Sequence, residues 1–250
     1  MMAEMPVIAF VPCRKGSERV RDKNTRPFAG ISGGLVELKL GQLMACEAIA
    51  TIVVSTNDPA VTAVARRVGQ ARSKPVMVLS RPEHLASSET STDALVAHVP
   101  AIIQEDAVIL WTHVTSPFVG ADTYQRALER YRRALKAGQC DSLMSVTKLQ
   151  TFLWNQAGPV NYDRQQLKWP KTQTLPVWYE VNSAIFLASR SVYVARHDRI
   201  GDRPYFFELN RREGFDIDWE DDFAVAEALW KAGGGCDEAW VSLFVDTKMK

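Results

Sequence analysis

Residues 7–24 read VIAFVPCRKGSERVRDKN, and the character of this stretch changes halfway along. Val7 to Pro12 form a continuous apolar run, the pattern of a strand that is buried on both faces of a sheet. The loop that follows carries a glycine, a serine and five cations: Arg14, Lys15, Arg19, Arg21 and Lys23. Backbone N–H groups and fixed cations at a strand end can surround phosphate oxygens, so the stretch predicts a polyphosphate site. A solvated surface loop is the alternative.

This basic loop does not match the common nucleotide-binding signatures. It lacks GxxxxGK[ST], so it is not a P-loop, and it lacks GxGxxG, so a dinucleotide fingerprint is also absent. Any phosphate site here must therefore use another arrangement of cations.

The rest of the chain alternates short apolar runs with helical patterns. The predicted strands are Val7–Pro12, Thr51–Thr56, Pro75–Ser80, Ala107–Val114, Ser142–Leu149 and Val181–Ser189. The predicted helices are Leu35–Ala48, a segment from the Asp58 cap to Gly69, a segment from a Ser91 or Thr92 cap to Gln104, and Ala121–Gly138. This order predicts an α/β fold: a mostly parallel, Rossmann-like sheet with helices on both faces. Ligands of such sheets bind beyond the carboxyl ends of the strands.

Composition places the chain among ordinary globular proteins. The 250 residues are 46% hydrophobic and 24% charged, which predicts a single domain over residues 1–250. A net charge of +1 gives no indication of a nucleic-acid or membrane partner. We expect a cytoplasmic protein, because no apolar run suits a signal or membrane span and the cysteines lack CxxC spacing. Those cysteines, expected to be reduced thiols, are Cys13, Cys46, Cys140 and Cys236.

Residues of about 150–180 break the alternating pattern. They are rich in tryptophan and tyrosine, contain three prolines and show little periodicity. A structureless loop of that length is uncommon, so the segment predicts an inserted hairpin or arm. Because tryptophan and tyrosine are enriched at interfaces, we expect a homodimer in which the arm reaches the partner, with an intrachain lid as the alternative.

An acidic segment, DIDWEDD, runs from Asp216 to Asp222. In an extended chain, residues two apart point the same way, so Asp216 and Asp218 can face one site. Paired carboxylates together with phosphate oxygens are usual ligands of Mg²⁺. The alternative is capping of the helix that follows, and this is the role predicted for Glu220, Asp221 and Asp222.

Several segments resemble the motifs of the cytidylyltransferases that activate nonulosonic acids such as sialic acid, and they occur in the same order along the chain as in that family. The family pattern PxRxxSxRxxxKN is matched by Pro12, Arg14, Ser17, Arg19, Lys23 and Asn24. Further matches are VVSTND (53–58), RPEHLA (81–86), TSP (115–117), VNSAIF (181–186) and FDIDWEDDF (215–223). The resemblance spans Val7 to Glu227 and implies the same fold with a dimerisation arm.

The resemblance implies a reaction of CTP with an acidic keto-sugar. The anomeric hydroxyl attacks the α-phosphorus, CMP-sugar forms and pyrophosphate leaves, with Mg²⁺ as the cofactor. Arg14 and Lys23 are expected to bind the triphosphate, and Asp216, or a water on the metal beside it, to take the sugar proton. The other implied contacts are Ser17, Arg19 and Asn24 in the nucleotide site, Arg81 and Thr92 at cytidine, Asp216 and Asp218 at the metal, and His113, Lys171 and Asn182 at the sugar.

Most departures from the family pattern fall in the sugar half, although Glu18 replaces a frequent lysine in the first loop. His113 replaces a glutamine that faces the sugar in the family, and a structural histidine is the alternative. Lys171 replaces an arginine, which keeps the charge but loses the bidentate fork. Glu180 lies where the sialate enzymes often have another arginine. Thr92 can equally be a helix cap, and Asn182 a satisfied polar residue in a strand.

Three functions are therefore compatible with the sequence. The first is CMP transfer to a sialic-acid-like nine-carbon sugar. The second is transfer to a KDO-type or other sugar, and the third is nucleotide binding without catalysis by a partner protein. Retention of Arg14, Lys23, Asp216 and Asp218 argues against the third.

Overall fold

A central seven-stranded sheet organises the chain. The computed structural model describes residues 5–71, 74–87 and 90–234. The strand order is β3-β2-β1-β4-β8-β5-β9, and only β8 runs antiparallel to its neighbours in this sheet. The strands are β1 Val7–Cys13, β2 Thr51–Thr56, β3 Val76–Ser80, β4 Val108–Trp111, β5 Ser142–Leu149, β8 Trp178–Ser189 and β9 Pro204–Leu209, with a separate hairpin of β6 Trp154–Asn155 and β7 Gly158–Pro159. The predicted mostly parallel α/β sheet is confirmed.

Six α-helices connect the strands in the described part of the chain. They are α1 Gly34–Ala45, α2 Pro59–Gln70, α3 Thr92–Ile102, α4 Ala121–Lys136, α5 Arg190–Arg196 and α6 Glu220–Leu229. Asp58 caps α2 by accepting from the Ala60 N–H at 2.8 Å, as predicted. Ser91 caps α3 by accepting from the Ala94 N–H at 3.2 Å, which leaves the Thr92 side chain available for another role. No described helix has the length and apolar character needed to cross a membrane.

The core lies on both faces of the sheet. Alternate residues of β1 point to opposite sides, so Val7, Ala9 and Val11 pack with α1, α2, α4 and α6. Ile8 and Phe10 pack instead with α3 and α5. All five side chains are buried, which explains why β1 reads as an unbroken apolar run.

Several boundaries differ from the sequence predictions. Strand β4 ends at Trp111 rather than Val114, because the Thr112 hydroxyl bonds the Tyr124 hydroxyl (2.8 Å) and the Ala184 carbonyl (2.7 Å). The Lys39 ammonium then holds the following turn by donating to the Ser116 and Val119 carbonyls. Strand β8 begins at Trp178, inside the predicted arm, whereas α5 and β9 were not predicted at all. Cys236 lies outside the described residues, and the three other cysteines are free and buried.

The predicted arm contains the β6–β7 hairpin and a 3-10 turn at Thr172–Thr174. Its aromatic rings contact one another: Trp154 stacks on Trp169 with centroids 6.3 Å apart, and Phe152 packs edge-on against Tyr162. The arm is tied to the sheet by the Gln150 amide, which donates to the Gln173 and Leu175 carbonyls at 3.0 Å.

Candidate functional site

The strand ends form a cleft of three adjoining pockets. The inner pocket, about 190 Å³, is lined by Arg81, Thr92 and Trp111, among others. The central pocket, about 380 Å³, lies between the basic loop and the acidic segment and shares Arg14 and His113 with the inner one. The outer pocket, about 630 Å³, shares Asp216 and Asp218 with the central one. The cleft therefore runs continuously along the rim where ligands of such sheets bind.

The basic loop is folded back onto its own strand end. The Asn24 side chain donates to the Arg14 carbonyl at 3.1 Å, and the Lys15 N–H donates to the Asn57 side chain after β2 at 2.8 Å. Gly16 has φ of 79°, a left-handed conformation that suits glycine in this turn. Ser17 lines the central pocket. The predicted site residues of this loop are therefore brought to one place.

The cations of the loop differ in their partners. Lys23 Nζ donates to the Ile217 carbonyl at 2.7 Å, and burial lowers the pKa of this lysine. Arg19 pairs with Asp218 at 2.8 Å and lies over the Trp219 ring. Among the described residues, the Arg14 side chain has no hydrogen-bond or ion-pair partner, although it lines two pockets. Arg14 is thus the loop cation with donors available at the junction of the inner and central pockets.

The acidic segment separates into two roles. The Asp222 carboxylate accepts from the N–H groups of Asp218 (3.0 Å) and Trp219 (2.8 Å), so it caps α6 as predicted. Asp216 instead has a buried oxygen, Oδ1, without a hydrogen-bond partner. Burial raises the pKa of Asp216, the nearby Asp218 raises it further, and Thr115 and Lys23 oppose the rise.

The pair Asp216 and Asp218 fits a divalent cation. Both residues line the central and outer pockets, and the Asp216 oxygen without a hydrogen-bond partner can serve as a metal ligand. No group of three or more histidine, cysteine, aspartate or glutamate side chains suited to a metal occurs among the described residues. A Mg²⁺ ion here would therefore take its other ligands from phosphate and water, as this ion commonly does.

Arg81 forms a wall of the inner pocket. Its guanidinium donates to the Ser55 carbonyl at 3.0 Å and is buried against the end of β2. Thr92, on the first turn of α3, lines the same pocket. These two residues, predicted at cytidine, lie together and next to Arg14.

His113 lies towards the inner end of the cleft. It lines the inner and central pockets, whereas Asn182 lines the outer one, so the structure does not bring these two predicted sugar contacts together. The Trp111 indole N–H donates to His113 Nε2 at 2.7 Å. An indole is only a donor, so the neutral ring carries its hydrogen on Nδ1. Burial lowers the pKa of His113 to about 3, which keeps the ring neutral at physiological pH.

His113 should make stability depend on pH. Its pKa falls from 6.5 to about 3 on folding, so the unfolded chain binds a proton between these values that the folded chain does not. Stability is therefore fully present above pH 6.5 and is lost as pH falls. His113→Gln keeps an acceptor for Trp111 but does not titrate. As pH falls below 6.5, the free energy of unfolding of this variant should therefore decrease less steeply than that of the wild type, and the two slopes should differ by about 1 kcal/mol per pH unit.

Urea unfolding from pH 7 to pH 4.5 measures this difference. His84→Gln, at an exposed position after β3, is the matched control for replacing a histidine outside the buried site. Parallel curves for wild type and His113→Gln would contradict the neutral, buried imidazole.

Asn182 and Lys171, the two other predicted sugar contacts, lie in different surroundings. Asn182 lines the outer pocket, but its amide is engaged internally by the Ser145 hydroxyl (2.6 Å) and the Thr147 hydroxyl (3.1 Å). Lys171 is exposed on the arm and lines none of the three pockets of the cleft. The internally bonded amide matches the alternative of a satisfied polar residue.

Among the residues of the outer pocket that the sequence did not indicate are Ser183, Arg211 and Trp219. Ser183 has φ of 57°, a local bend that periodicity does not report. Arg211 follows β9, and because β9 was not predicted, its strand end was not recognised as part of the rim. The adjacent arginine pair before the acidic segment was the available signal.

Comparison with known proteins adds to this geometry. A profile of the family described as cytidylyltransferase matches residues 8–234. N-acylneuraminate cytidylyltransferase of Escherichia coli is 25% identical over 226 residues, which are 88% of this chain and 51% of that protein. CMP-N,N'-diacetyllegionaminic acid synthase of Legionella pneumophila is 29% identical over 242 residues, 90% of this chain and 96% of that protein. The chain thus spans about half of the first relative and nearly all of the second.

Two solved structures share the fold. CMP:2-keto-3-deoxy-manno-octonic acid synthetase complexed with CTP superposes with a TM-score of 0.64 at 15% identity, over 91% of this chain and 99% of that one. A 4-diphosphocytidyl-2C-methyl-D-erythritol synthase from Anaerococcus prevotii gives 0.63 at 11% identity, with the same coverage. The likeness at such identities shows the fold and supports no further transfer. The family profile, by contrast, covers nearly the whole chain, and with its motifs in order the chain belongs to the cytidylyltransferase family.

Proposed function

We propose that this protein transfers CMP from CTP to the anomeric hydroxyl of a sialic-acid-like nonulosonic acid. The observation that carries the proposal is the continuous cleft, with Arg14 at the first junction between pockets and Asp216 at the second. Cytidine is assigned to the inner pocket, the triphosphate to the central pocket and the acid sugar to the outer pocket.

The reaction follows from the order of these pockets. The sugar hydroxyl oxygen forms a bond to the α-phosphorus, the bond from that phosphorus to the bridging oxygen of pyrophosphate breaks, and the hydroxyl proton leaves. Arg14 and Lys23 hold the phosphate oxygens and the departing pyrophosphate, where negative charge accumulates. Asp216 faces the junction of the central and outer pockets, and its raised pKa suits a carboxylate that accepts the hydroxyl proton.

Asp216 and Asp218 are the residues proposed to hold Mg²⁺. When bound there, Mg²⁺ would neutralise charge on the phosphate oxygens and the leaving group. Arg19 keeps Asp218 in place from the loop side through its 2.8 Å ion pair, and Asp222 fixes the backbone between the metal residues and α6. The metal site is thus braced from the basic loop on one side and from the start of α6 on the other.

The relatives named for N-acylneuraminate and diacetyllegionaminate support a nine-carbon acid as the sugar. A pyrophosphate-release assay with CTP tests this, using sialic, legionaminic, pseudaminic and KDO acids with and without Mg²⁺. Mg²⁺-dependent release with a nine-carbon acid is expected. A preference for KDO would favour the second function considered above. CTP binding without release for any acid would favour a binding protein that has lost catalysis.

We also propose a homodimer held by the arm, in a protein expected to be cytoplasmic. Trp169 is 65% exposed, and Trp154 and Trp178 are also exposed, so this part of the chain presents apolar surface that a second copy would cover. Light scattering should give twice the chain mass, and Trp169→Ser should shift the mass towards the monomer. A wild-type monomer at micromolar concentration would favour an intrachain lid.

A further inference from the structure

We propose that Arg211 binds the carboxylate of the second substrate and so makes the outer pocket select acidic keto-sugars. The inference rests on the proposed function, because it concerns the substrate of that same cleft. It concerns a residue that the sequence motifs left unassigned.

The charge balance of the outer pocket is the first observation. The pocket is lined by four carboxylates, those of Glu180, Asp216, Asp218 and Asp222. Within the described residues, Arg211 is the one cation that lines it. A substrate with its own carboxylate would be repelled from this pocket unless a cation receives it, since a desolvated like-charge contact is unfavourable.

The availability of the Arg211 side chain is the second observation. Asp218 pairs with Arg19 and Asp222 accepts two backbone N–H groups, and neither carboxylate forms an ion pair with Arg211. The described residues provide no hydrogen-bond or ion-pair partner for the Arg211 guanidinium. Its planar fork therefore remains available for a carboxylate, which it can bind through two parallel hydrogen bonds.

The backbone that carries Arg211 is held firmly. The Asn210 side chain accepts from the Arg212 N–H at 3.0 Å and the Glu213 N–H at 2.9 Å, which fixes the turn after β9. Glu213 anchors this turn to α4 through Arg126 (2.7 Å). The turn also presses on the sheet, because a Cβ on Gly214 would lie 2.6 Å from the Thr147 hydroxyl oxygen. The backbone that carries the cation is therefore fixed before the substrate arrives, so that the entropy lost on binding is mainly that of the Arg211 side chain.

Arg212 provides a matched control on the same turn. Its guanidinium lies 5.5 Å from the centre of the Phe118 ring, and Arg212 does not line the outer pocket. Arg211 and Arg212 are adjacent, carry the same charge and are both exposed. They therefore differ in which part of the surface they line.

Steady-state kinetics of Arg211→Met and Arg212→Met test the proposal, with N-acetylneuraminate as the first probe. Arg211→Met should raise the KM for the sugar about 10- to 100-fold and leave the KM for CTP within about twofold. Arg212→Met should change neither KM by more than about twofold. Arg211→Lys should be intermediate, because it restores charge without the fork.

A substrate analogue makes the test specific to the carboxylate. The carboxamide of the same sugar should be a poor substrate for the wild type but should lose little further in Arg211→Met, since the contact is then already missing. An unchanged sugar KM in Arg211→Met would overturn the assignment, and so would an equal effect of Arg212→Met. If Lys171→Met alone raised the KM for the sugar strongly, the carboxylate site would be assigned to the arm instead.

Failure of the proposed function gives a different result. In that case the wild type releases no pyrophosphate with any acid, and calorimetric binding of N-acetylneuraminate and KDO replaces the kinetics. Binding to the wild type that is lost in Arg211→Met and kept in Arg212→Met would still support the carboxylate site. No binding of either acid to the wild type would overturn it, with melting temperatures confirming that each variant is folded.

Discussion

Asp216→Asn should reduce turnover about 1,000-fold and at the same time raise the melting temperature. The lost rate has two sources, because the variant removes a ligand charge from the proposed metal site and the group proposed to accept the sugar proton. The stabilisation arises because Asp216 has a buried oxygen without a partner and a pKa that burial raises. Functional centres commonly contain residues that lower the stability of the fold but are needed for catalysis.

The sign of the stability change follows from this raised pKa. The folded chain holds the Asp216 proton more tightly than the unfolded chain, so its contribution is favourable at low pH and is lost as pH rises through the folded pKa. Above the folded pKa the carboxylate is ionised in both states, and this ionised form destabilises the fold. Asparagine removes that charge, and we expect a gain of about 1 kcal/mol in the free energy of unfolding, or roughly 2–4 °C.

Magnesium ions provide a second readout of the same residue. Mg²⁺ with CTP should raise the melting temperature of the wild type, because a ligand that binds only the folded state stabilises it. The rise should be much smaller for Asp216→Asn, although CTP alone should still bind through the inner and central pockets. Calorimetric binding of CTP and thermal unfolding with and without Mg²⁺ separate these contributions.

Asp222→Asn is the control within the same acidic segment. Asp222 caps α6, and asparagine keeps an accepting oxygen but removes the negative charge from the helix start, so stability should fall by about 0.5 kcal/mol while turnover stays within about tenfold of the wild type. The two variants should thus move activity and stability in different directions. Equal losses of rate in both variants would show that the segment cannot be divided into a catalytic and a structural part.

The sequence predicted most accurately where local chemistry decides the structure. The β1 run, the Asp58 cap and the strand Ser142–Leu149 depend on residues close together in the chain, and the structure confirms them. The capping role of Asp222 was also predictable, because a helix N-terminus is a local signal.

Predictions failed where contacts between distant residues decide. The end of β4 is set by Thr112 reaching Tyr124 and Ala184, and no local pattern reports this. The hydrogen bond from Trp111 to His113 became visible only in three dimensions, whereas the expected role of His113 at the sugar stays a prediction. Arg211 was missed because its strand, β9, pairs with β5, about 60 residues earlier in the chain, and shows weak periodicity alone.

Arg14→Met should lower kcat/KM for CTP about 100- to 1,000-fold without unfolding the protein. Arg14 lines both the inner and the central pocket, where the α-phosphate would lie between cytidine and the leaving pyrophosphate. Removing one preorganised donor from a developing phosphoryl charge has effects of this size. No described group depends on its side chain for an ion pair, so the fold should not suffer.

Arg21→Met is the matched control from the same loop. Its side chain is 95% exposed and contacts only Asp22 among the described residues, at 3.6 Å, so an effect within about twofold is expected. If the two variants lost rate equally, the loop would act through its total charge rather than through one positioned guanidinium. If neither lost rate, the central pocket would not be the phosphate site.

Arg14 is a sharper probe of the phosphate assignment than Lys23, although both are expected to act there. Lys23 donates to the Ile217 carbonyl, so Lys23→Met would also loosen the segment that carries Asp216 and Asp218. A loss of rate in that variant could come from the metal site or from the phosphate site. Arg14 has no such tie, and its guanidinium should be replaceable in part by lysine, which keeps the charge. The test of this one contact is the kinetics with CTP of Arg14→Met, Arg14→Lys and Arg21→Met at saturating sugar and Mg²⁺. Of the two Arg14 variants, only Arg14→Lys should keep partial activity, and that result would identify the contact as electrostatic.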